Sequence, residues 1–132
     1  MNEIKDKKPT NESSEDYLER ILMLQEEGNN SVHAIDIANS MEFSKASVSI
    51  ALKKLENEGY VIVGEKQTLH LTPNGLLIAK KIYERHKVLS SLFISLGVDK
   101  EKAREDACKI EHDLSEESYQ ALKKIYEEKC IK

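Results

Sequence analysis

A change of hydrophobic period near residue 60 constrains this chain more than any other feature. On its N-terminal side, Val32, Ile35, Ile37 and Ala38 mark a short amphipathic helix over Val32 to Met41. Val48, Ala51, Leu52 and Leu55 then recur at helical spacing from about Lys45 to Asn57, with Ser44 as the N-cap and only Glu42-Phe43 joining the two helices. Past Glu58-Gly59 the period drops to two. Tyr60-Val61-Ile62-Val63 reads as a strand, Gly64-Glu65-Lys66-Gln67 as a turn and Thr68-Leu69-His70-Leu71-Thr72 as the returning strand. Two short helices with a tight connection, followed by a hairpin, predict a helix-turn-helix with a wing.

Everything else with a period is helical. Met1 to Ser13 is polar, contains Pro9 and has no hydrophobic period, so it is expected to be a flexible arm. Ser14 is expected to cap a helix whose apolar stripe is Tyr17, Leu18, Ile21, Leu22 and Leu24, stopped by Glu27-Gly28-Asn29-Asn30. Pro73 suits the first position of a long helix from about Asn74 to Leu96, with apolar residues Leu76, Leu77, Ile78, Ile82, Val88, Leu89, Leu92 and Phe93 and Gly97 at its end. A helix over about Asp99 to Asp113 follows. Ser115 then caps a last one, about Glu116 to Lys129, with Tyr119, Leu122, Ile125 and Tyr126 on the buried side. The predicted fold is mainly α: an arm over 1–13, a winged helix-turn-helix over 14–73 and an all-helical domain over 74–132.

Bulk properties narrow the function classes. A chain of 132 residues with 39% hydrophobic content supports one compact domain, or two small ones, which argues against a multi-domain enzyme. No apolar run approaches the roughly 18 residues of a membrane span, and Met-Asn-Glu-Ile-Lys-Asp lacks a signal peptide's hydrophobic region, so a cytoplasmic location without a membrane partner is expected. Cys108 and Cys130 do not make a disulfide framework and are read as reduced thiols or ligands. The net charge is -4, yet between Ser44 and Lys81 six lysines face three glutamates, a local +3. The excess acid lies near the two ends of the chain.

A helix that enters the major groove, about 12 Å wide, needs small hydrogen-bonding residues at its start and cations nearby for phosphates. Ser44-Lys45-Ala46-Ser47-Val48-Ser49 has this character. The candidate DNA contacts are Ser44, Lys45, Ser47 and Ser49 at the helix start, Lys53 and Lys54 further along it, and Lys66 at the wing tip. The bland alternative is an ordinary helix whose polar face meets water. Serine discriminates bases weakly, so much of the affinity is expected to be electrostatic.

Cys108-Lys109-Ile110-Glu111-His112 puts a thiol, a carboxylate and an imidazole into little more than one helical turn. Glu111 is three residues and His112 four residues from Cys108, so all three can project toward one point, as metal ligands do. The same spacing arises if Cys108 is a small core residue beside a solvated edge. Partners elsewhere decide between these readings. Asp16 and Glu19 are i,i+3 neighbours on the first helix, and His86 follows Arg85 inside an otherwise apolar stretch. His33 and His70 fall in the winged half without nearby acids and are read as non-ligands.

With these residues assembled, the chain resembles the diphtheria-toxin-repressor family of metal-dependent transcriptional repressors, in particular its short manganese-transport-regulator branch. The resemblance spans roughly Ser14 to Tyr126 and is carried by Glu15-Asp16-Tyr17-Leu18-Glu19, Ser44 to Ser49, Tyr83-Glu84-Arg85-His86, Leu96-Gly97-Val98 and Ile110-Glu111-His112-Asp113-Leu114-Ser115. It implies that the helical domain forms a homodimer, that a metal acts as corepressor between the domains, and that a double-stranded DNA operator is the target. Asp16, Glu19, His86, Glu111 and His112 match the manganese branch's ligand positions. Cys108 instead matches the iron branch, whose ancillary ligands are replaced here by Ser90 and Arg104.

A thiolate among carboxylates and imidazoles shifts preference from Mn²⁺ toward Fe²⁺, Co²⁺ or Zn²⁺. The expectation is therefore a repressor that senses Mn²⁺ or Fe²⁺, accepts Zn²⁺ or Co²⁺ in vitro, and is not an enzyme. Two rival readings are a metal-independent winged-helix regulator sensing redox state through Cys108 and a small metalloenzyme using Glu111 and His112.

Overall fold

The computed structural model describes residues 12–129, so Met1 to Asn11 of the expected arm, and Cys130, lie outside the described residues. The chain divides into two compact units, the first ending at Lys80 and the second starting at Lys81. The division falls within a helix.

In the first unit, helix α1 (Glu12–Glu26), helix α2 (Ala34–Met41) and helix α3 (Lys45–Asn57) precede strand β1 (Val61–Val63), a 3-10 turn (Glu65–Gln67) and strand β2 (Leu69–Leu71). α1 packs on α2, α3 and β2, and α3 packs on α2 and β1. Tyr17, Leu18, Ile21 and Leu22 of α1 are buried, as are Ile37 and Ala38 of α2 and Val48, Leu52 and Leu55 of α3. Each fully buried aliphatic side chain contributes roughly 1.5–3 kcal/mol of transfer free energy, so this small core accounts for the helix-turn-helix geometry. The hairpin is antiparallel, with Val61 opposite Leu71, Ile62 opposite His70 and Val63 opposite Leu69. Val61 and Leu69 are buried, whereas Ile62 and His70 face outward.

Local sequence choices explain the element ends, with two departures from expectation in the first unit. α1 starts by Glu12, so Ser14 is its third residue, buried, rather than its cap. A serine hydroxyl is readily satisfied inside a helix, so a capping residue type alone does not fix a start. α2 begins at Ala34 rather than Val32, because the Val32 carbonyl accepts from Leu69 N–H at 2.8 Å and is committed to the hairpin. Ser44 caps α3 as expected, accepting from Ser47 N–H at 3.1 Å.

Helix α4 (Pro73–Ser95) starts with Pro73 in its first position, where the missing N–H costs nothing. Thr72 Oγ1 donates to the Gly59 carbonyl at 2.7 Å and accepts from Gly75 N–H at 3.0 Å, tying the hairpin to the helix start. A Cβ on Gly75 would collide with the Tyr60 carbonyl oxygen, so only glycine permits this approach. At the far end Gly97, at φ +99°, takes the left-handed conformation that terminates the helix.

In the second unit, α4 buries Ile82, Val88, Leu89 and Leu92; Leu77, in the part of the helix that belongs to the first unit, is 70% exposed, against expectation. Helix α5 (Lys100–Ile110) is capped by Asp99, whose carboxylate accepts from Glu101 and Lys102 N–H. Helix α6 (Glu116–Lys129) is capped by Ser115, which accepts from Ser118 N–H at 3.0 Å. Of its predicted apolar face Tyr119 is buried, whereas Ile125 is exposed. α5 closes earlier than expected: Glu111 is its C-cap and His112 follows in a turn.

Candidate metal centre and DNA-reading face

The residues of the second unit that the sequence marks as candidate ligands sit where its core would otherwise be apolar. Ala103 and Ala107, both fully buried, and Glu111, also fully buried, fall at i, i+4 and i+8 along one stripe of α5. Alanines let that stripe approach its neighbours closely, and the stripe ends in a carboxylate. Burying a carboxylate is costly unless it is neutralised and hydrogen-bonded. Here Glu111 Oε1 lies 3.1 Å from His86 Nδ1, and Oε2 lies 3.3 Å from His112 Nε2. Cys108 Sγ, half-buried, is 3.7 Å from the same His86 Nδ1.

One nitrogen, one sulfur and one carboxylate oxygen, from His86, Cys108 and Glu111, therefore lie within 4.8 Å of one another. Divalent transition ions bind nitrogen or oxygen at about 2.0–2.2 Å and sulfur at about 2.3 Å, which puts adjacent donors on one ion roughly 3–4 Å apart. The His86 separations of 3.1 and 3.7 Å meet that requirement. The donor set fits a borderline divalent cation. The side chain of His112 is 2% exposed and adds a second imidazole to the same carboxylate.

Arg85, next to His86, is a site residue that the sequence pattern alone did not single out. Its guanidinium is buried and donates to the Glu111 carbonyl at 3.0 Å, the Leu114 carbonyl at 2.8 Å and the Glu116 carboxylate at 3.0 Å. It also lies over the Tyr119 ring, 4.8 Å from its centroid. Hydrogen bonds from Gln120 and then Arg85 lower the Glu116 carboxyl from its ordinary range. Beside it, Glu84 accepts from Tyr119 Oη at 2.7 Å and pairs with Lys123 Nζ at 2.7 Å. Lys123 first and Tyr119 second hold the Glu84 carboxyl low, while burial, followed by Glu84, pushes the Tyr119 hydroxyl up. The signal in the sequence was an arginine inside an apolar helical stretch.

The other predicted ligands belong to the first unit. Asp16 is half-buried and Glu19 is buried, three residues apart on α1.

The predicted DNA contacts Ser44, Lys45, Ser47, Ser49, Lys53, Lys54 and Lys66 are all exposed. Ser44 is partly committed, since its hydroxyl caps the helix and also donates to Ser47 Oγ at 3.0 Å. Ile50, on α3 between Ser49 and Lys53, is 72% exposed, as its absence from the buried period of that helix implies. Lys66 at the wing tip adopts φ 57°, ψ 29°. His33, read as lacking nearby acids, does have one. Its N–H donates to Asp36 Oδ2 at 2.8 Å, its Nδ1 lies 3.7 Å from the same oxygen, and its Nε2 lies 3.1 Å from the Lys66 carbonyl. Asp36 is only three residues along the chain and was readable as a nearby acid; the Lys66 carbonyl, 33 residues away, was not.

Comparison with known proteins follows the same division. The family profile described as iron dependent repressor, N-terminal DNA binding domain, matches residues 10–69, and that described as iron dependent repressor, metal binding and dimerisation domain, matches residues 72–129. An HTH-type transcriptional regulator of Methanocaldococcus jannaschii is 38% identical over 119 residues, covering 89% of this chain and 94% of that protein. The chain belongs to the iron-dependent repressor family. Within it, the HTH-type transcriptional regulator MntR of Bacillus pumilus is 39% identical over 106 residues, 80% of this chain and 73% of that one. The solved structure of the manganese regulator SloR superposes with a TM-score of 0.76 at 28% identity, covering 86% of this chain. This chain spans about half, 53%, of that structure's length.

Proposed function

We propose that this member of the iron-dependent repressor family is a homodimeric transcriptional repressor that binds operator DNA when loaded with Mn²⁺ or Fe²⁺ and so controls metal-homeostasis genes. The observation that carries the reading is the buried His86, Cys108 and Glu111 cluster, with His112 on the same carboxylate, in the segment that matches the family's metal-binding domain. We take Asp16 and Glu19 as the remaining ligands, on the strength of the resemblance at Glu15 to Glu19. A bound divalent cation supplies the positive charge that these clustered carboxylates need. The chain's own residues then divide the work. His86, Cys108, Glu111 and His112 bind and select the ion. Lys45, Lys53, Lys54 and Lys66 neutralise phosphates, and Ser47 and Ser49 approach the base edges.

Cys108 decides the metal preference in this reading, because a soft sulfur among hard oxygens moves the site from Mn²⁺ toward Fe²⁺. The protein acts as a regulator rather than an enzyme and works in the cytoplasm. No helix among the described residues is long and apolar enough to cross a membrane. The test is fluorescence anisotropy of a labelled duplex from the chain's own promoter region, titrated in chelator-treated, reducing buffer with Mn²⁺, Fe²⁺ or Zn²⁺. Tightening by Mn²⁺ or Fe²⁺ is expected. DNA affinity that is the same with and without every ion would sink the proposal, and a Cys108→Ser variant that keeps its ion preference would remove Cys108 from the ligand set.

A further inference from the structure

Arg85 has chemistry that neither metal ligation nor DNA binding uses. It is a buried cation adjacent in sequence to one ligand, His86, and bonded to the main chain of another, Glu111. The last carbonyls of an α-helix have no partner within the helix and must be satisfied from outside. α5 ends at Ile110, and the guanidinium takes the carbonyls of Glu111 and Leu114 just beyond that end. The planar fork of an arginine reaches two carbonyls and the Glu116 carboxylate at once, which a lysine ammonium at the end of a flexible stem does not reproduce.

From this geometry we infer that Arg85 is the positioning residue of the metal centre, clamping the end of α5 so that the Glu111 carboxylate and Cys108 sulfur are held against His86. The inference rests on the metal reading above. Because clamp and ligand are consecutive residues on α4, any shift of α5 that would separate Glu111 from His86 also breaks the two carbonyl hydrogen bonds. Tyr119 and Glu116, both on α6, fix the clamp in turn: one lies against the guanidinium, the other pairs with it. Arg85 thus couples the docking of α6 to the separation of the ligands on α4 and α5. Outer-shell partners of this kind matter to affinity because they set where the ligands stand before the ion arrives.

The experiment uses the full chain with Co²⁺ as probe under reducing conditions, read by calorimetry and by the visible and near-ultraviolet spectrum, which reports donor geometry and sulfur ligation. Arg85→Lys is expected to weaken Co²⁺ binding roughly 10- to 100-fold and to alter the spectrum, while far-ultraviolet circular dichroism in chelator stays that of a folded helical protein. Lys123→Met, which removes the ion pair to Glu84 and no hydrogen bond of Arg85, is expected to leave Co²⁺ affinity and spectrum unchanged. If Arg85→Lys does not fold, Glu116→Gln takes its place, with a few-fold loss of affinity expected from a less constrained guanidinium. A folded Arg85→Lys, or in its place Glu116→Gln, with wild-type affinity and spectrum would overturn the inference and leave the metal reading intact. A wild-type chain that binds no Co²⁺ would overturn both.

Discussion

The candidate DNA-reading face of the first unit and the His86 cluster of the second hold their chemistry at opposite depths. In the first, the residues assigned to DNA, from Ser44 through Lys54 and again at Lys66, all lie on the surface of a core built from Leu18, Ile21, Ile37, Val48 and Leu55. In the second, His86, Arg85 and Glu111 are themselves core residues. A surface function is separable from folding, so its residues are exchangeable at little structural cost. A buried polar function is not, because each group must satisfy the others as well as the ligand. The family relationship assigns the DNA-binding and metal-binding roles to these two segments respectively, and the physical difference predicts how each fails.

The sharpest way to break the contrast is Glu111→Ala. The variant removes the one carboxylate that both imidazoles share, so Mn²⁺ and Co²⁺ affinity should fall by more than the roughly 100-fold typical of losing an outer-shell partner. It should also cost folding stability of about 1–3 kcal/mol in chelator, because His86 and His112 lose a buried partner. Calorimetric titration and urea unfolding check the two halves. Lost affinity with unchanged stability would show the site to be as separable as the surface one.

The opposite behaviour is expected of Lys53→Ala combined with Lys54→Ala. Removing two exposed cations should weaken DNA binding uniformly across sequences and flatten the dependence of log affinity on log salt by about one for each phosphate no longer neutralised. Stability should stay within about 0.5 kcal/mol and metal affinity should not change. An unaltered salt slope would remove α3 from the DNA-reading face.

Tyr119→Phe tests the buried network at one hydrogen bond. Losing the bond to Glu84 should cost about 1 kcal/mol, measured by denaturant unfolding at neutral pH. The sign of its pH dependence follows from the lowered Glu84 carboxyl. A depressed acid contributes stability above its unfolded value and loses it as pH falls through the folded value. With one of its two hydrogen bonds gone, Glu84 should titrate at higher pH, and the acid loss should begin earlier, which carbon-detected NMR of the carboxyl would follow.

What could be read from the sequence tracks the same division of depth. The helix-turn-helix, hairpin and long helix were legible because Val48, Leu52, Leu55 and Leu89 obey simple periods and Ser44, Pro73, Gly97 and Asp99 punctuate them. The exposure of Lys45, Lys53, Lys54 and Lys66 was legible one lysine at a time, because each falls outside the buried period of its element. The Glu111–His86 pairing was only half legible: spacing gathered Cys108, Glu111 and His112, but His86, 25 residues away on another helix, could be singled out only as a histidine in an apolar stretch, not as the partner of Glu111. Arg85 stood out only as an arginine inside an apolar stretch; its role was not legible, because two of its partners are main-chain carbonyls, which carry no residue identity. The same blindness hid the true start of α2, which the Val32 carbonyl sets through Leu69.

The smallest effect belongs to His33, where the DNA-reading face behaves like the buried cluster. Its ring bonds the carbonyl of Lys66, a residue held at positive φ, a conformation that costs a non-glycine residue roughly 1–2 kcal/mol. His33→Ala should therefore loosen the wing tip and cost below about 1 kcal/mol of stability, since the hydrogen bond is exposed. The intraresidue amide-to-α proton contact that marks positive φ at Lys66 should weaken by NMR. In DNA binding, His33→Ala and Lys66→Ala should be non-additive, because the histidine acts only through the lysine it aims. Full additivity would mean that His33 touches DNA or the fold independently, and the wing would then be as modular as the lysines of α3.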